Sequence, residues 1–444
     1  MAIDVKNKLD ERKAHYKTLF AARAGKMNGQ SNHPLNQIRR EAMEKFEGLS
    51  FPGRKDEEWK YTSVAPLLKP DYQEGKEVPV VGDMLSGLEI PELDAYRLVF
   101  VNGFLQKDLS DLLKLPSGVM VKEMSNAIET PTHGQKLKNW FRNELDKATN
   151  AFTPLNIAFS NGGTFIHISK NAQVDKPLHF IYLTANGVSS TFTCPQIFGI
   201  VESGANASVI ESFGGVGKGD YFTNVFNRFE VDANAQLHHY KIQNEQPQGY
   251  FINNTAADQQ RDSNYSSYVL DLGSKVARNN IAAHLKDSNT TTNLYGTYLP
   301  KGTEHVDNQS FVDHAHPHAY SNELYKGVMD EKGRGVFNGQ VMVRQDAQKI
   351  NAYQTNGNLV LSETAQIDTK PQLEIYADDV RCSHGATIGQ LNEDSVFYLK
   401  ARGIKEEEAR TMLQVAFLGE VIDNFEIEAV RDHSIQLIEQ KLNA

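Results

Sequence analysis

The chain has 444 residues, 40% hydrophobic and 23% charged, with a formal net charge of −10; the length favours two or three domains, or one elongated one, in a soluble protein. The acidic balance argues against broad binding to nucleic acid or an anionic membrane, and no apolar run approaches the ~18 residues of a membrane span. The charged opening MAIDVKNKLDERKAHYK does not read as a signal peptide, and Cys194 and Cys382 are too few for a disulfide framework, so a reducing, cytoplasmic location is expected.

The first fifty positions predict helices. Val5, Leu9, Tyr16, Leu19 and Phe20 fall at helical spacing and stop near Gly25; Ile38, Ala42 and Phe46 form a second stripe ahead of Gly48. Gly29, Asn32, Pro34 and the stretch from Phe51 read as loops. Asp71 to Thr132 reads as mixed structure, and Leu137, Trp140, Phe141 and Leu145 suggest one more helix before Pro154.

From about Phe159 short β-rich runs alternate with polar turns, and helix-length patterns disappear. A local phrase recurs as NAQV at Asn171, NASV at Asn206, NAQL at Asn234, DAQK at Asp346 and TAQI at Thr364. Turn-like breaks recur at Asp271, Lys286, Pro300, Asp313, Asp330 and Arg344, with spacing suited to stacked turns of strand, corner, strand. So long an all-β region favours a parallel β-helix over a sandwich. Asn279, Asn280, Asn289, Asn293 and Asn308 are expected at its tight corners, where Asn tolerates left-handed backbone.

Helix returns after Tyr398. Glu406, Glu407 and Glu408 suit a first turn. Met412 and Ala416, with Leu413, Phe417 and Val421, form an apolar stripe, and Ile427, Val430, Ile435, Ile438 and Leu442 mark a further helix. Periodicity reads these helices as a cap on the last solenoid turn, with a partner dock as the sharper alternative. The expected organisation is 1–155 helical and mixed, 156–398 solenoid, and 399–444 helical.

Several residues carry candidate chemistry. His314, His316 and His318 alternate, but Pro317 argues against a regular strand, so solvated loop histidines are expected. Asp378 and Asp379 invite comparison with paired-carboxylate glycosidases, yet adjacent strand residues face opposite ways. Gly214, Gly215, Gly217 and Gly219 lack the GKS or GKT of a phosphate loop and read as a mobile loop. Cys194, close to Ile197 and Phe198, is expected in the core. The most informative stretch is DDVRCSHGATIG, Asp378 to Gly389. On a strand Cys382 and His384 share one face, with Arg381 and Ser383 on the other. A thiolate beside an imidazole suits zinc, copper(I) or iron–sulfur chemistry, but two ligands do not complete a site.

The phrases VFNGQVMV at Val336, KPQLEIYADDVRCSHGATIGQL at Lys370 and VFYLKARGI at Val396 strongly resemble the SufD branch of the SufB/SufD family, scaffolds of the SUF iron–sulfur cluster assembly machinery. RKDEEWKYTSV at Arg54 and TPLNIAF at Thr153 extend the resemblance towards the N-terminus. It implies a mainly β fold, a right-handed parallel β-helix flanked by N- and C-terminal helical regions, and a non-catalytic scaffold. It also implies pairing with SufB through the β-helix and docking of the SufC ATPase on the C-terminal helices; a homodimer in isolation is left open as an alternative state. On that basis Met412, Leu413, Ala416, Phe417 and Val421 become candidates for the SufC dock. His384, with Cys382 beside it, becomes the candidate that holds a nascent cluster or iron at the SufB interface. That cargo is transient in the complex, and no cofactor is expected to stay bound to this chain alone. A β-helix carbohydrate-active enzyme, lyase or hydrolase, is the alternative and rests on fold analogy.

Overall fold

A computed structural model describes residues 2–26, 32–161 and 163–443; Gly29 and the side chains of Val5 and Leu9 lie outside the described residues. Two long, mostly parallel sheets, one of twelve strands and one of ten, face each other as the chain winds between them. The breaks at Asp271, Lys286, Pro300, Asp313, Asp330 and Arg344 fall at successive passages between the two sheets. Each coil therefore carries two corners, which is why the breaks recur at half the coil length. The fold is a parallel β-solenoid with helices at both ends of the chain, as expected.

Alternation drives the winding. In each strand one set of side chains points between the sheets, where Phe180, Tyr182, Phe213, Phe251, Leu294, Tyr325 and Phe337 form one buried cluster. Ala207, Ala235 and Ala347 are buried in the same cluster and Ala172 and Ala365 pack against it, so the recurrent phrase sets its small residue towards the interior. Of the asparagines expected at corners, Asn289 has the left-handed backbone, at φ 59°. Asn279, Asn280, Asn293 and Asn308 instead lie within strands. There, side-chain amides bond between coils: Asn279 Nδ2 donates to Asn308 Oδ1 at 3.1 Å and Asn280 Nδ2 to Asn254 Oδ1 at 2.9 Å.

The glycines at 214 and 215 are buried strand residues, not a mobile loop. A Cβ at Gly215 would lie 2.3 Å from the ring of Tyr221, so glycine is the residue that lets this ring pack.

The N-terminal helices Ala2–Lys26 and Pro34–Gly48 cover the outer face of the twelve-stranded sheet. The second is capped by His33, whose side chain accepts from the Leu35 backbone N–H at 3.2 Å, with Pro34 opening the helix. Trp59 stacks on Phe152 at 5.5 Å, and Cys194 is buried in this cluster. The mixed region contributes strands Tyr96–Val101 and Val119–Glu123, which extend the first coils of the two sheets.

The C-terminal helices Glu393–Ala401, Glu406–Ile422 and Glu428–Asn443 do not cap the solenoid end. Glu406–Ile422 and Glu428–Asn443 lie along the outer face of the ten-stranded sheet, and Glu393–Ala401 packs against Glu406–Ile422, with Arg410 reaching Glu393 at 3.0 Å. Phe425 meets Tyr240 and Tyr268 edge-on at 5.9 and 5.3 Å, and Leu418, Val421, Ile422 and Ile438 join the same buried cluster. The outward tyrosines supply an apolar surface, and the helices bury their stripe on it. Among the described residues no strand follows Val380–Gly389 in the ten-stranded sheet, so the last coil ends in an edge.

Candidate functional site

The uncovered end is built by strand Val380–Gly389, the last strand of the ten-stranded sheet, pairing in parallel with Ile350–Val360. Ala352 faces Cys382 and Gln354 faces His384 in this register. Ile350, Ala352, Gln354, Asn356 and Asn358 are all buried between the sheets, so the same face continues as Val380, Cys382, His384, Ala386 and Ile388 in the next strand. No further strand covers this one among the described residues. Val380 and Cys382 are half-buried against the interior, whereas His384 is exposed and Ile388 is 57% exposed. The twelve-stranded sheet ends beside it in Gln366–Thr369 and Gln372–Ile375.

Cys382 and His384 therefore share a face, as strand geometry predicts. Burial raises the Cys382 thiol above its ordinary value, opposed by a backbone hydrogen bond from Ala352. Among the described residues no three His, Cys, Asp or Glu side chains converge to hold a metal, so this pair supplies at most two ligands from one chain. Asp378 and Asp379 lie in an exposed bend before the strand, where the Asp379 backbone N–H donates to Gln348 Oε1 at 2.9 Å.

The three alternating histidines do not share an environment. His316 and His318 are exposed at a corner, but His314 ends strand His305–His314 and is fully buried, its Nε2 2.9 Å from Ser321 Oγ. Burial lowers its pKa to about 4. It is a neutral core histidine and not a solvated loop residue.

Helix Glu406–Ile422 divides the candidate dock. Met412 and Ala416 are exposed, Leu413 and Phe417 are half-buried, and Val421 is fully buried in the cluster under the helix. Lys326 Nζ sits 4.3 Å from the Phe417 ring centre. Phe397 and Tyr398 are also exposed, and they lie within helix Glu393–Ala401, so helix returns ahead of Tyr398 and not after it as the sequence suggests. Elsewhere, a groove of about 430 Å³ on the twelve-stranded sheet contains Glu58 and Glu144. Glu144 is paired with Arg228 at 3.3 Å, so this carboxylate is occupied by a structural cation.

Residues 182–417 match the model of the SUF system FeS cluster assembly SufBD core domain, and residues 10–180 match the SufBD protein N-terminal region. The chain belongs to the SufBD family. Among SufBD relatives, a SufBD-family iron–sulfur cluster assembly protein of Synechocystis is 32% identical over 420 residues, covering 93% of this chain and 92% of that protein. The iron–sulfur cluster assembly protein SufD of Escherichia coli is 32% identical over 430 residues, covering 96% of this chain and 95% of the relative. SufD of Bacillus subtilis is 26% identical over 437 residues, covering 92% and 94%. The SufBD core match contains the whole Val380–Gly389 strand and the first part of the last helices. No helix of this SufBD protein, among the described residues, is long and apolar enough to cross a membrane.

Proposed function

We propose that this chain is the non-catalytic scaffold of a SUF assembly complex, with its last coil as the joint to SufB. The observation that carries this is the uncovered strand Val380–Gly389: a ten-residue edge with free backbone donors and acceptors, beside exposed Ile375, Tyr376 and Ile388. Such an edge is a template for pairing with another chain. A SufB strand added there would bury the apolar side chains and enclose His384. In the absence of SufB, two copies of this chain can pair through the same edge.

His384 then acts as one ligand or assembly group for a nascent cluster or iron, with Cys382 beside it and the remaining ligands drawn from SufB. The cluster is cargo, assembled transiently in the complex and not held by this chain alone. The SufC ATPase docks on the exposed side of the C-terminal helices, at Met412, Ala416, Leu413 and Phe417, while Val421 anchors the helix beneath. SufC-driven movement reaches the last coil through the sheet on which these helices lie. Both cysteines are free thiols, which suits a cytoplasmic protein.

Co-expression with SufB and SufC tests the reading. The three should purify as one complex whose cluster yield exceeds that of SufB and SufC alone. A chain that neither joins the complex nor changes its cluster yield would contradict it.

A further inference from the structure

His384 stands at the end of a row of inward-facing residues, not at an isolated position. The parallel register runs Val209, His239, Ser267, Leu294, Glu323, Gln354, His384, one residue from each coil. The last three are polar. Gln354 is 1% exposed and Glu323 is 0% exposed, so both amide and carboxyl are removed from water.

The orientation of the Gln354 amide is fixed from one side. Its Nε2 donates to Glu323 Oε2 at 2.9 Å, and that oxygen also accepts from Ser310 Oγ at 2.7 Å. The other end of the amide, Oε1, is buried without a hydrogen-bond partner. Buried acceptors are normally satisfied, and neighbours in a parallel row lie ~4.8 Å apart, within reach of an imidazole. The facing sheet keeps room for the pair: a Cβ at Gly339 would lie 2.2 Å from Gln354 Nε2 and 2.9 Å from Glu323 Oε2.

We propose that Gln354, anchored by Glu323, is a positioning residue for His384: its Oε1 accepts a hydrogen bond from one imidazole N–H and leaves the other nitrogen's lone pair facing the interface. A neutral imidazole has one donor and one acceptor nitrogen, so engaging the donor fixes the tautomer and the ring together. Histidines that bind metals are commonly held this way through their second nitrogen. Cys382 lacks such support, since its register neighbour is Ala352. The inference rests on the proposed role of His384.

The test uses the full chain with 15N-labelled histidine. In the wild type the His384 ring nitrogens should report one dominant tautomer, and Gln354→Met, similar in volume but without the amide, should shift them towards the mixture of a free imidazole. In the complex, Gln354→Met should slow cluster assembly about tenfold or more, and should add no further loss to His384→Ala. Unchanged His384 signals in Gln354→Met would overturn the proposal. So would a free-imidazole mixture in the wild type, a result that does not depend on the variant folding. If His384→Ala leaves cluster assembly unchanged while the ring signals respond as expected, the role of His384 falls and its positioning by Gln354 stands.

Discussion

Cys382 and His384 share one face of the last strand but not one environment: the thiol packs against the solenoid interior, while the imidazole two residues on is exposed. This asymmetry ranks them. Partial burial favours the protonated thiol, whereas an exposed imidazole is free to meet a ligand from another chain.

Cys382 should therefore be a slow nucleophile. Its thiol lies above the ordinary range because of burial, and the thiolate is the form that reacts or ligates. Alkylation of the folded chain with iodoacetamide near neutral pH should modify Cys382 more slowly than a cysteine peptide, and Cys382→Ala should reduce cluster yield less than His384→Ala. Faster modification than the peptide would contradict this ranking.

The helix Glu406–Ile422 separates docking from stability. Met412 is 46% exposed, so Met412→Asp should change unfolding free energy by no more than about 0.5 kcal/mol while weakening SufC binding. Val421 is buried beside Leu418 and Ile422, and Val421→Asp should destabilise the fold by roughly 3 kcal/mol or more. Calorimetry of SufC binding alongside urea unfolding reads both. Wild-type SufC affinity in Met412→Asp would remove that residue from the dock.

Glu323 gives a pH dependence of defined sign. Burial pushes its carboxyl up to about 7 from an ordinary 4.5. Between those values the folded chain holds a proton that the unfolded chain has released. The stability contributed by the neutral carboxyl is thus fully present below 4.5 and lost as pH rises to about 7. Glu323→Gln has no proton to release, so its urea midpoint should fall less than the wild type's between mildly acidic and mildly alkaline buffer. An equal fall in both proteins would show that Glu323 does not titrate in this range.

Much of the architecture was legible in sequence because the solenoid repeats its corners: the breaks at Asp271 to Arg344 each mark a passage between sheets. The face shared by Cys382 and His384 followed from the period of two. Two things were not legible. The C-terminal stripe could be read for its apolarity but not for the surface it covers, and only the tertiary fold shows that Tyr240 and Tyr268 receive it. Likewise, Glu323 and Gln354 gained significance only through register, which aligns residues from separate coils beside His384. The asparagines in strands were misplaced for a related reason: local turn preference gave way to amide bonding between coils.

The measurement that bears most directly on the central claim is iron and acid-labile sulfide per assembled complex, with wild-type chain and with His384→Ala. Because His384 is exposed, the variant should fold and bind SufC as the wild type does while its complex carries markedly less iron and sulfide. Equal iron and sulfide in the two complexes would contradict a role for His384 in cluster assembly.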